Sequence, residues 1–225
     1  MKLSPWVVIP AFNEEKALGD VLADLRRYFD CIVVVDDGST DDTRGLALSS
    51  GAFVCRHPVN LGQGAALQTG FDCVLSRGAD IVVTFDADGQ HHADDAARMC
   101  DELVSEGLDI VLGSRFFGST EGMPASRGFL LRCAAAYTRF STGLSVTDTH
   151  NGIRAMTGET ARKLRLRQNR MAHASEILQI VAASRMRFRE SPVTVSYTDY
   201  SKAKGQRALA ALAVLADMHI RKLYR

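Results

Sequence analysis

Short apolar runs alternate with longer amphipathic stretches through the first half of the chain. The runs are nearly continuous and rich in β-branched residues, which is typical of strands buried on both faces of a parallel sheet. They predict strands at Trp6–Ile9, Cys31–Val35, Ala52–Cys55, Asp80–Phe85 and Asp109–Leu112. The stretches between them predict helices at Glu14–Tyr28, Asp41–Ser50, Gly62–Arg77 and Ala93–Glu106. This alternation predicts an α/β fold with a doubly wound, mostly parallel sheet flanked by helices.

The second half of the chain has a less regular pattern. The small residues of Gly113–Arg127 predict a long loop, and Val146–Gly152 predicts a polar turn. Helices are predicted at Ser126–Thr142 and Ala172–Met186, a strand at Ser191–Val195, and an amphipathic closing helix at Arg207–Leu223. The 225 residues fit one α/β domain. No run reaches the roughly 18 apolar residues of a membrane span, so any membrane contact is expected to be peripheral.

Charge and cysteine content narrow the class of protein. The 27 basic and 26 acidic residues nearly balance, which argues against a general nucleic-acid binder because such proteins are usually clearly basic. The 5 cysteines are an odd number without a C-x-x-C pair, which favours reduced thiols and a cytoplasmic protein. The first apolar run stops at Pro10 and does not resemble a secretory signal.

Polar residues follow the predicted strands at the sheet edge where ligands of doubly wound folds bind. After the first strand, Asn13 is expected to cap the next helix and Glu14 to lie at this edge. After the second strand, Asp37 can accept hydrogen bonds from a nucleobase or ribose, while residues 39–41 cap the following helix. A simple acidic turn is the alternative. After the third strand, Gly62 and Gly64 lack the full dinucleotide-binding pattern, and packing or turn roles explain them at least as well.

The strongest chemical signal follows the fourth strand, where Asp86 and Asp88 are separated by one residue. Two close carboxylates repel each other, and a cation between them resolves that repulsion. Oxygen ligands favour Mg²⁺ or Mn²⁺, and Gln90 supplies a further oxygen. His91 and His92 are interpreted as residues that orient the loop. An acidic loop with a helix-capping aspartate is the alternative.

Six segments in order give these loops a family resemblance: IPAFNEE, VVVDDGSTDDT, NLGQGAALQTGF, FDADGQHH, LGSRF and DTHNGIRAM. Together they resemble the family 2 glycosyltransferases with the GT-A fold, and within these the dolichyl- or polyprenyl-phosphate sugar transferases. The resemblance implies an inverting transfer from a UDP- or GDP-sugar with Mg²⁺ or Mn²⁺. It also implies one domain over residues 1–225, in which residues 1–115 bind the nucleotide-sugar and residues 116–225 form the acceptor side.

The resemblance also assigns residues. The nucleotide-sugar pocket is expected to comprise Pro10, Phe12, Glu14, Asp37, Asp86, Ala87 and Arg115. The metal ligands are expected to be Asp86, Asp88 and Gln90, and the catalytic residues Asp148, Arg115 and Asp88. A metal ion and an arginine directed at the leaving nucleoside diphosphate would stabilise the transition state more than the ground state.

The acceptor side leaves alternatives open. For a hydroxyl acceptor Asp148 would be the general base, whereas a phosphate acceptor needs no strong base and Asp148 would position other groups. The resemblance suggests acceptor contacts from Arg127, Ser201, Lys202 and Lys204. The stretch around Ser201 lacks the glycine that precedes Ser-Lys in the family, so a solvated loop is the alternative.

The expected acceptor is a polyprenyl phosphate or a lipid-linked glycan at the cytoplasmic face of a membrane. A transferase that extends a soluble or cell-envelope glycan, and a non-catalytic nucleotide-sugar-binding scaffold, are the alternatives. A nucleotidyltransferase would need a Gly-rich basic loop after the first strand, where this chain has Pro10–Glu15 instead. The closing helix is expected to pack on the domain or on the second subunit of a homodimer, or else to rest on a membrane surface.

Overall fold

A seven-stranded mixed sheet forms the centre of the computed structural model, which describes residues 3–121, 125–170 and 172–197. The strands are β1 Pro5–Ala11, β2 Cys31–Asp36, β3 Phe53–Arg56, β4 Ile81–Thr84, β5 Ile110–Glu121, β6 Arg154–Thr157 and β7 Phe188–Ser196. The helices are α1 Leu18–Leu25, α2 Thr43–Ser49, α3 Gln63–Ser76, α4 Ala93–Ser105, α5 Ala125–Thr142, α6 Gly158–Lys163 and α7 His173–Ala183. The strand order is β3-β2-β1-β4-β6-β5-β7.

Helices cover both faces of this sheet, and the side chains of β1 explain why. Val7 and Ile9 point into one apolar core, which contains residues of α1 and α4, whereas Trp6 and Val8 point into a second, which contains residues of α3 and α7. The strands therefore need apolar residues on both sides, as their continuous runs predicted. Among the strands of the described residues, only β6 runs antiparallel to its neighbours, β4 and β5. The predicted doubly wound, mostly parallel α/β fold is confirmed.

The structure differs from the predicted elements in three respects. The loop predicted at Gly113–Arg127 is largely strand, because β5 continues to Glu121 beside β7 across an irregularity in their register. Neither β6 nor α6 was predicted. The first helix begins at Leu18, and Asn13 does not cap it: the Asn13 side-chain oxygen accepts the Thr40 N–H at 2.8 Å instead.

The predicted closing helix at Arg207–Leu223 lies outside the described residues. Across the part of the chain that the structure describes, no helix is both long and apolar enough to cross a membrane.

Gly70 sets how closely α3 packs on the sheet. A Cβ atom added at Gly70 would lie 2.2 Å from Cγ1 of Val8 in β1, whereas one added at Gly19 in α1 would meet nothing within 4 Å. We expect Gly70→Ala to lower the free energy of unfolding by about 1–3 kcal/mol through overpacking. The control Gly19→Ala should raise it by about 0.5–1 kcal/mol, because alanine loses less backbone entropy in a helix. Urea titration of both variants measures these changes, and equal effects would contradict the packing shown at Gly70.

Candidate active site at the carboxyl edge of the sheet

Asp86, two residues after β4, is held by Gln63 of α3 and by His91 of its own loop. Its Oδ1 accepts the Gln63 Nε2–H at 3.0 Å, and its Oδ2 lies 3.4 Å from Nε2 of His91. Burial raises the pKa of Asp86, but His91, then Arg154 and His173, outweigh it and the pKa is lowered overall. Asp86 is therefore a charged carboxylate in this arrangement, and the His91 ring lies against its Oδ2.

Gly152 brings a second segment of the chain against this carboxylate. The Gly152 carbonyl accepts the Thr84 hydroxyl of β4 at 2.6 Å. A Cβ atom at residue 152 would lie 1.8 Å from Oδ2 of Asp86, so any larger residue would displace that carboxylate. The turn before β6, which contains Asp148, thus lies directly beside the acidic loop that follows β4.

Asp88 differs from Asp86 in its surroundings. Its two carboxylate oxygens accept the backbone N–H of Gln90 at 3.1 Å and the Gln90 side-chain amide at 2.8 Å. Burial, and next the negative charge of Asp86, raise the pKa of Asp88 to about 6. Such mutual destabilisation of two carboxylates is relieved by a bound cation.

The residues of the acidic loop, Phe85–His92, fit a divalent cation whose coordination is completed by the substrate. Within residues 3–121, 125–170 and 172–197, no three His, Cys, Asp or Glu side chains are grouped so as to hold a metal ion by themselves. Mg²⁺ typically takes only one or two carboxylates and obtains its other ligands from water and substrate phosphates. The oxygen chemistry of Asp86, Asp88 and Gln90 and the raised pKa of Asp88 agree with that kind of site.

Arg115 and Asp148 form a buried ion pair beside the acidic loop. Nε of Arg115 donates to Oδ2 of Asp148 at 2.6 Å, and their side chains are 5% and 0% exposed. The remaining guanidinium nitrogens donate to the Tyr197 hydroxyl at 2.5 Å and to the His150 carbonyl at 3.3 Å. Burial lowers the pKa of Arg115, but Asp148 in particular outweighs it, so the pKa is raised overall. The carboxylate of Asp148 is thus committed to Arg115 in this arrangement.

Glu190 of β7 fixes the turn that carries Asp148. Its Oε1 accepts the backbone N–H groups of Thr147 at 2.8 Å and of Asp148 at 3.1 Å. Burial raises the pKa of Glu190, although these hydrogen bonds oppose that effect. Glu190 therefore acts on the site through the backbone of this turn. No sequence pattern indicates this role, because Glu190 lies in β7, far along the chain from the turn that it holds.

Two further buried residues at this edge, Arg154 of β6 and His173 at the start of α7, received no predicted role. Arg154 is 4% exposed and interacts electrostatically with both Asp86 and Asp148. It thereby links the acidic loop to the ion pair. Its presence in the segment DTHNGIRAM was the available signal. His173 is 2% exposed, and its Nδ1–H donates to the Arg170 carbonyl at 2.7 Å.

His173 predicts an acid-sensitive stability. Burial, and next the charge of Arg154, lower its pKa to about 4 from the ordinary 6.5. Because the pKa of His173 is lower in the folded than in the unfolded state, neutral His173 contributes its full stability above pH 6.5. This stability is lost as the pH falls towards 4. We expect the wild type to lose about 3 kcal/mol more than His173→Gln between pH 7 and pH 4. Urea titrations at the two pH values measure this, with the exposed His92→Gln as control. Identical losses in the wild type and His173→Gln would contradict it.

Asp37 is buried and holds the segment that follows β3. Its Oδ1 lies 2.7 Å from Nδ1 of His57 and accepts the Leu61 N–H at 2.9 Å. Its Oδ2 accepts the Gly62 N–H at 2.7 Å, and the other ring nitrogen of His57 lies 2.9 Å from the Thr69 hydroxyl. Sequence reasoning singled out Asp37 but missed His57 and Thr69, because their contacts join separate elements.

The glycines at the start of α3 pack against another part of the chain. A Cβ atom at Gly62 would lie 2.3 Å from the Asn169 carbonyl oxygen, and one at Gly64 would lie 1.9 Å from that of Gln168. The Gly64 N–H donates to the Asn169 carbonyl at 2.8 Å. The structure thus shows Gly62 and Gly64 in a packing role, which was one of the alternatives that the sequence left open.

The remaining predicted site residues belong to the nucleotide pocket and to the acceptor side. Pro10 is half-buried at the end of β1, Phe12 is 41% exposed just beyond it, and Glu14 begins the turn into α1. Ala87 is buried between the two acids. Arg127 lies in the first turn of α5. The predicted acceptor contacts Ser201, Lys202 and Lys204 lie outside the described residues.

Comparison with known proteins agrees with this geometry. Residues 6–165 match the family described as Glycosyl transferase family 2. An uncharacterized protein of Methanocaldococcus jannaschii is 36% identical over 224 residues, which are 97% of this chain and 92% of that protein. UDP-N-acetylglucosamine–dolichyl-phosphate N-acetylglucosaminyltransferase of Methanococcus voltae is 30% identical over 97% of this chain and 96% of its own. Polyprenol monophosphomannose synthase of Mycolicibacterium smegmatis is 35% identical over 71% of this chain and 64% of its own.

The fold has solved counterparts as well. The structure of glucosyl-3-phosphoglycerate synthase from Mycobacterium tuberculosis with Mn²⁺ and UDP-glucose superposes with a TM-score of 0.74 at 24% identity, over 98% of this chain and 78% of that one. The mixed sheet and its flanking helices have the GT-A fold. The chain belongs to glycosyl transferase family 2, and it resembles the dolichyl- and polyprenyl-phosphate sugar transferases within it.

Proposed function

We propose that this glycosyltransferase transfers a sugar, with inversion, from a UDP- or GDP-sugar to a polyprenyl phosphate or a related lipid-linked acceptor. The reaction depends on Mg²⁺ or Mn²⁺ and takes place at the cytoplasmic face of a membrane. The observation that carries the proposal is the pairing of the buried Asp148 carboxylate with Arg115, beside the two carboxylates that follow β4.

The donor side of the proposal rests on the acidic loop. Asp88, with Asp86 and Gln90, would hold the divalent ion against the donor diphosphate, and Pro10, Phe12, Glu14, Asp37 and Ala87 would line the nucleotide pocket. Asp86 is charged and braced by Gln63 and His91, so its carboxylate stays in place when the donor arrives. The bound ion would neutralise the charge that develops on the diphosphate as its bond to the sugar breaks. The solved structures that share this fold include complexes with UDP and Mn²⁺ and with UDP and Mg²⁺.

Arg115 supplies fixed positive charge to the same leaving group. Three of its five N–H groups are used by Asp148, Tyr197 and His150, which leaves two for the donor sugar or a phosphate. Because these partners hold the guanidinium in advance, little reorganisation is needed when charge develops in the transition state.

The acceptor side follows from the state of the two buried acids. Asp148 is paired with Arg115 and Glu190 accepts backbone N–H groups, so neither carboxylate is arranged to remove a proton from a hydroxyl acceptor. A phosphate monoester needs no such base, since its second pKa is about 6 and it is largely dianionic at neutral pH. Its oxygen attacks the anomeric carbon directly, the bond from that carbon to the donor diphosphate breaks, and the nucleoside diphosphate leaves. The names of the relatives from Methanococcus voltae and Mycolicibacterium smegmatis agree with an acceptor of this class.

Nucleotide binding tests the donor side. Thermal unfolding would be measured with UDP and GDP, each with and without Mn²⁺. We expect one diphosphate to stabilise the protein only when Mn²⁺ is present, by about 2.7 kcal/mol at 100 times its dissociation constant. The corresponding monophosphate is the control and should stabilise less, because it lacks the β-phosphate that the ion would bind. If neither diphosphate stabilises the protein with Mn²⁺, the proposed donor site is wrong.

A further inference from the structure

His57 joins three elements at the nucleotide side of the sheet edge. It follows β3, and its ring is buried between Asp37, which follows β2, and Thr69 of α3. An ionised carboxylate only accepts hydrogen bonds, so Nδ1 of His57 carries the hydrogen that is donated to Asp37. The ring therefore fixes the position of the Asp37 carboxylate, with Thr69 fixing the ring in turn.

The Asp37 carboxylate then holds an exposed segment of the chain. Its oxygens accept the backbone N–H groups of Leu61 and Gly62 at 2.9 and 2.7 Å. Val59 and Leu61 in this segment are 59% and 42% exposed, so core packing alone does not hold the segment in place. The segment also lies close over the loop after β2, because a Cβ atom at Gly38 would be 2.6 Å from the Val59 carbonyl carbon.

We propose that His57 is a positioning residue of the donor site. By fixing the Asp37 carboxylate, it orders residues 58–62 as one wall of the nucleotide pocket. The Asp37 carboxylate accepts three hydrogen bonds from the protein itself, and through two of them it shapes this wall. The inference rests on the proposed function, in which the donor nucleotide binds beside Asp37.

Two substitutions of similar size separate the two hydrogen bonds of His57. The side-chain nitrogen of Asn replaces Nδ1 and keeps the bond to Asp37, whereas that of Gln replaces Nε2 and keeps only the contact with Thr69. We expect His57→Gln to weaken binding of the diphosphate nucleotide with Mn²⁺ at least about tenfold, which is about 1.4 kcal/mol, and His57→Asn to stay within about threefold of the wild type. Isothermal titration with UDP and GDP measures both.

Amide hydrogen exchange tests the same inference without a nucleotide. The Leu61 and Gly62 amides should exchange at least about tenfold faster in His57→Gln than in the wild type or in His57→Asn, because a hydrogen-bonded amide must open before it exchanges. Equal exchange and equal nucleotide affinity in the two variants would overturn the role of His57. If the wild type binds neither nucleotide, the donor assignment fails, and the exchange rates still decide whether His57 orders the segment.

Discussion

Replacement of Asp88 by asparagine is expected to reduce sugar transfer by about a thousandfold while leaving the metal-free protein at least as stable as the wild type. The loss in rate follows from the loss of a charged metal ligand, which contributes several kcal/mol to stabilising the leaving diphosphate. Stability should not fall, because burial and the neighbouring Asp86 disfavour the charged form of Asp88 and raise its pKa to about 6. At neutral pH the neutral amide removes that repulsion.

Rate and stability can be measured on the same preparations. The rate of sugar transfer is measured at saturating donor and Mn²⁺, and stability is measured by thermal unfolding with and without Mn²⁺. The control is Asp94→Asn, which changes an exposed acid in the first turn of α4; it should leave transfer unchanged and lower stability by no more than about 1 kcal/mol. Two results would show that Asp88 does not hold the metal. One is that Asp88→Asn transfers sugar at the wild-type rate, and the other is that nucleotide and Mn²⁺ together still stabilise this variant.

Replacement of Asp148 by asparagine is expected to destabilise the fold by about 3–5 kcal/mol, because it leaves the charge of Arg115 buried without its partner. Transfer should fall as well, since Arg115 would lose the group that orients its Nε–H. The reason is the depth of the pair, in which the Asp148 side chain is 0% exposed. Urea unfolding measures the change in stability.

An exposed ion pair provides the control for Asp148. Asp72 and Arg165 lie 3.5 Å apart with side chains 59% and 71% exposed. Asp72→Asn should therefore change stability by no more than about 1 kcal/mol. If Asp148→Asn were as mild as this control and lost only its rate towards a hydroxyl acceptor, Asp148 would be acting as a general base and the phosphate acceptor would lose its support.

The parts of the fold that the sequence predicted are those whose signal is local. Strands β1, β2 and β4 are apolar on both faces, so their residues alone identify them. The 4-residue β6 has no such run, and it belongs to the sheet only because β4 and β5 lie on either side of it. The extension of β5 to Glu121 likewise depends on β7, whose partner residues follow some 70 to 80 positions later in the chain.

In the candidate site, too, the sequence predicted the features whose signal is local. Asp86 and Asp88 stand out because two acids directly follow an apolar strand, and the structure brings them together as expected. The commitment of Asp148 to Arg115 could not be read from the sequence, because the two residues are 33 positions apart and either could have faced a substrate. Arg154 lies in a segment that the sequence singled out, but its role comes from Asp86 and Asp148, which approach it only in the folded chain.

Sugar transfer to matched lipid acceptors tests the central proposal most directly. The protein would be given radiolabelled UDP- and GDP-sugars with Mn²⁺ and either a polyprenyl phosphate or the corresponding polyprenol, which differ only in the phosphate group. We predict that label from one donor appears in lipid with the phosphate acceptor, and that the alcohol accepts none. Transfer to the polyprenol would contradict the proposed acceptor. So would a protein that transfers sugar to neither lipid but transfers it to a soluble glycan.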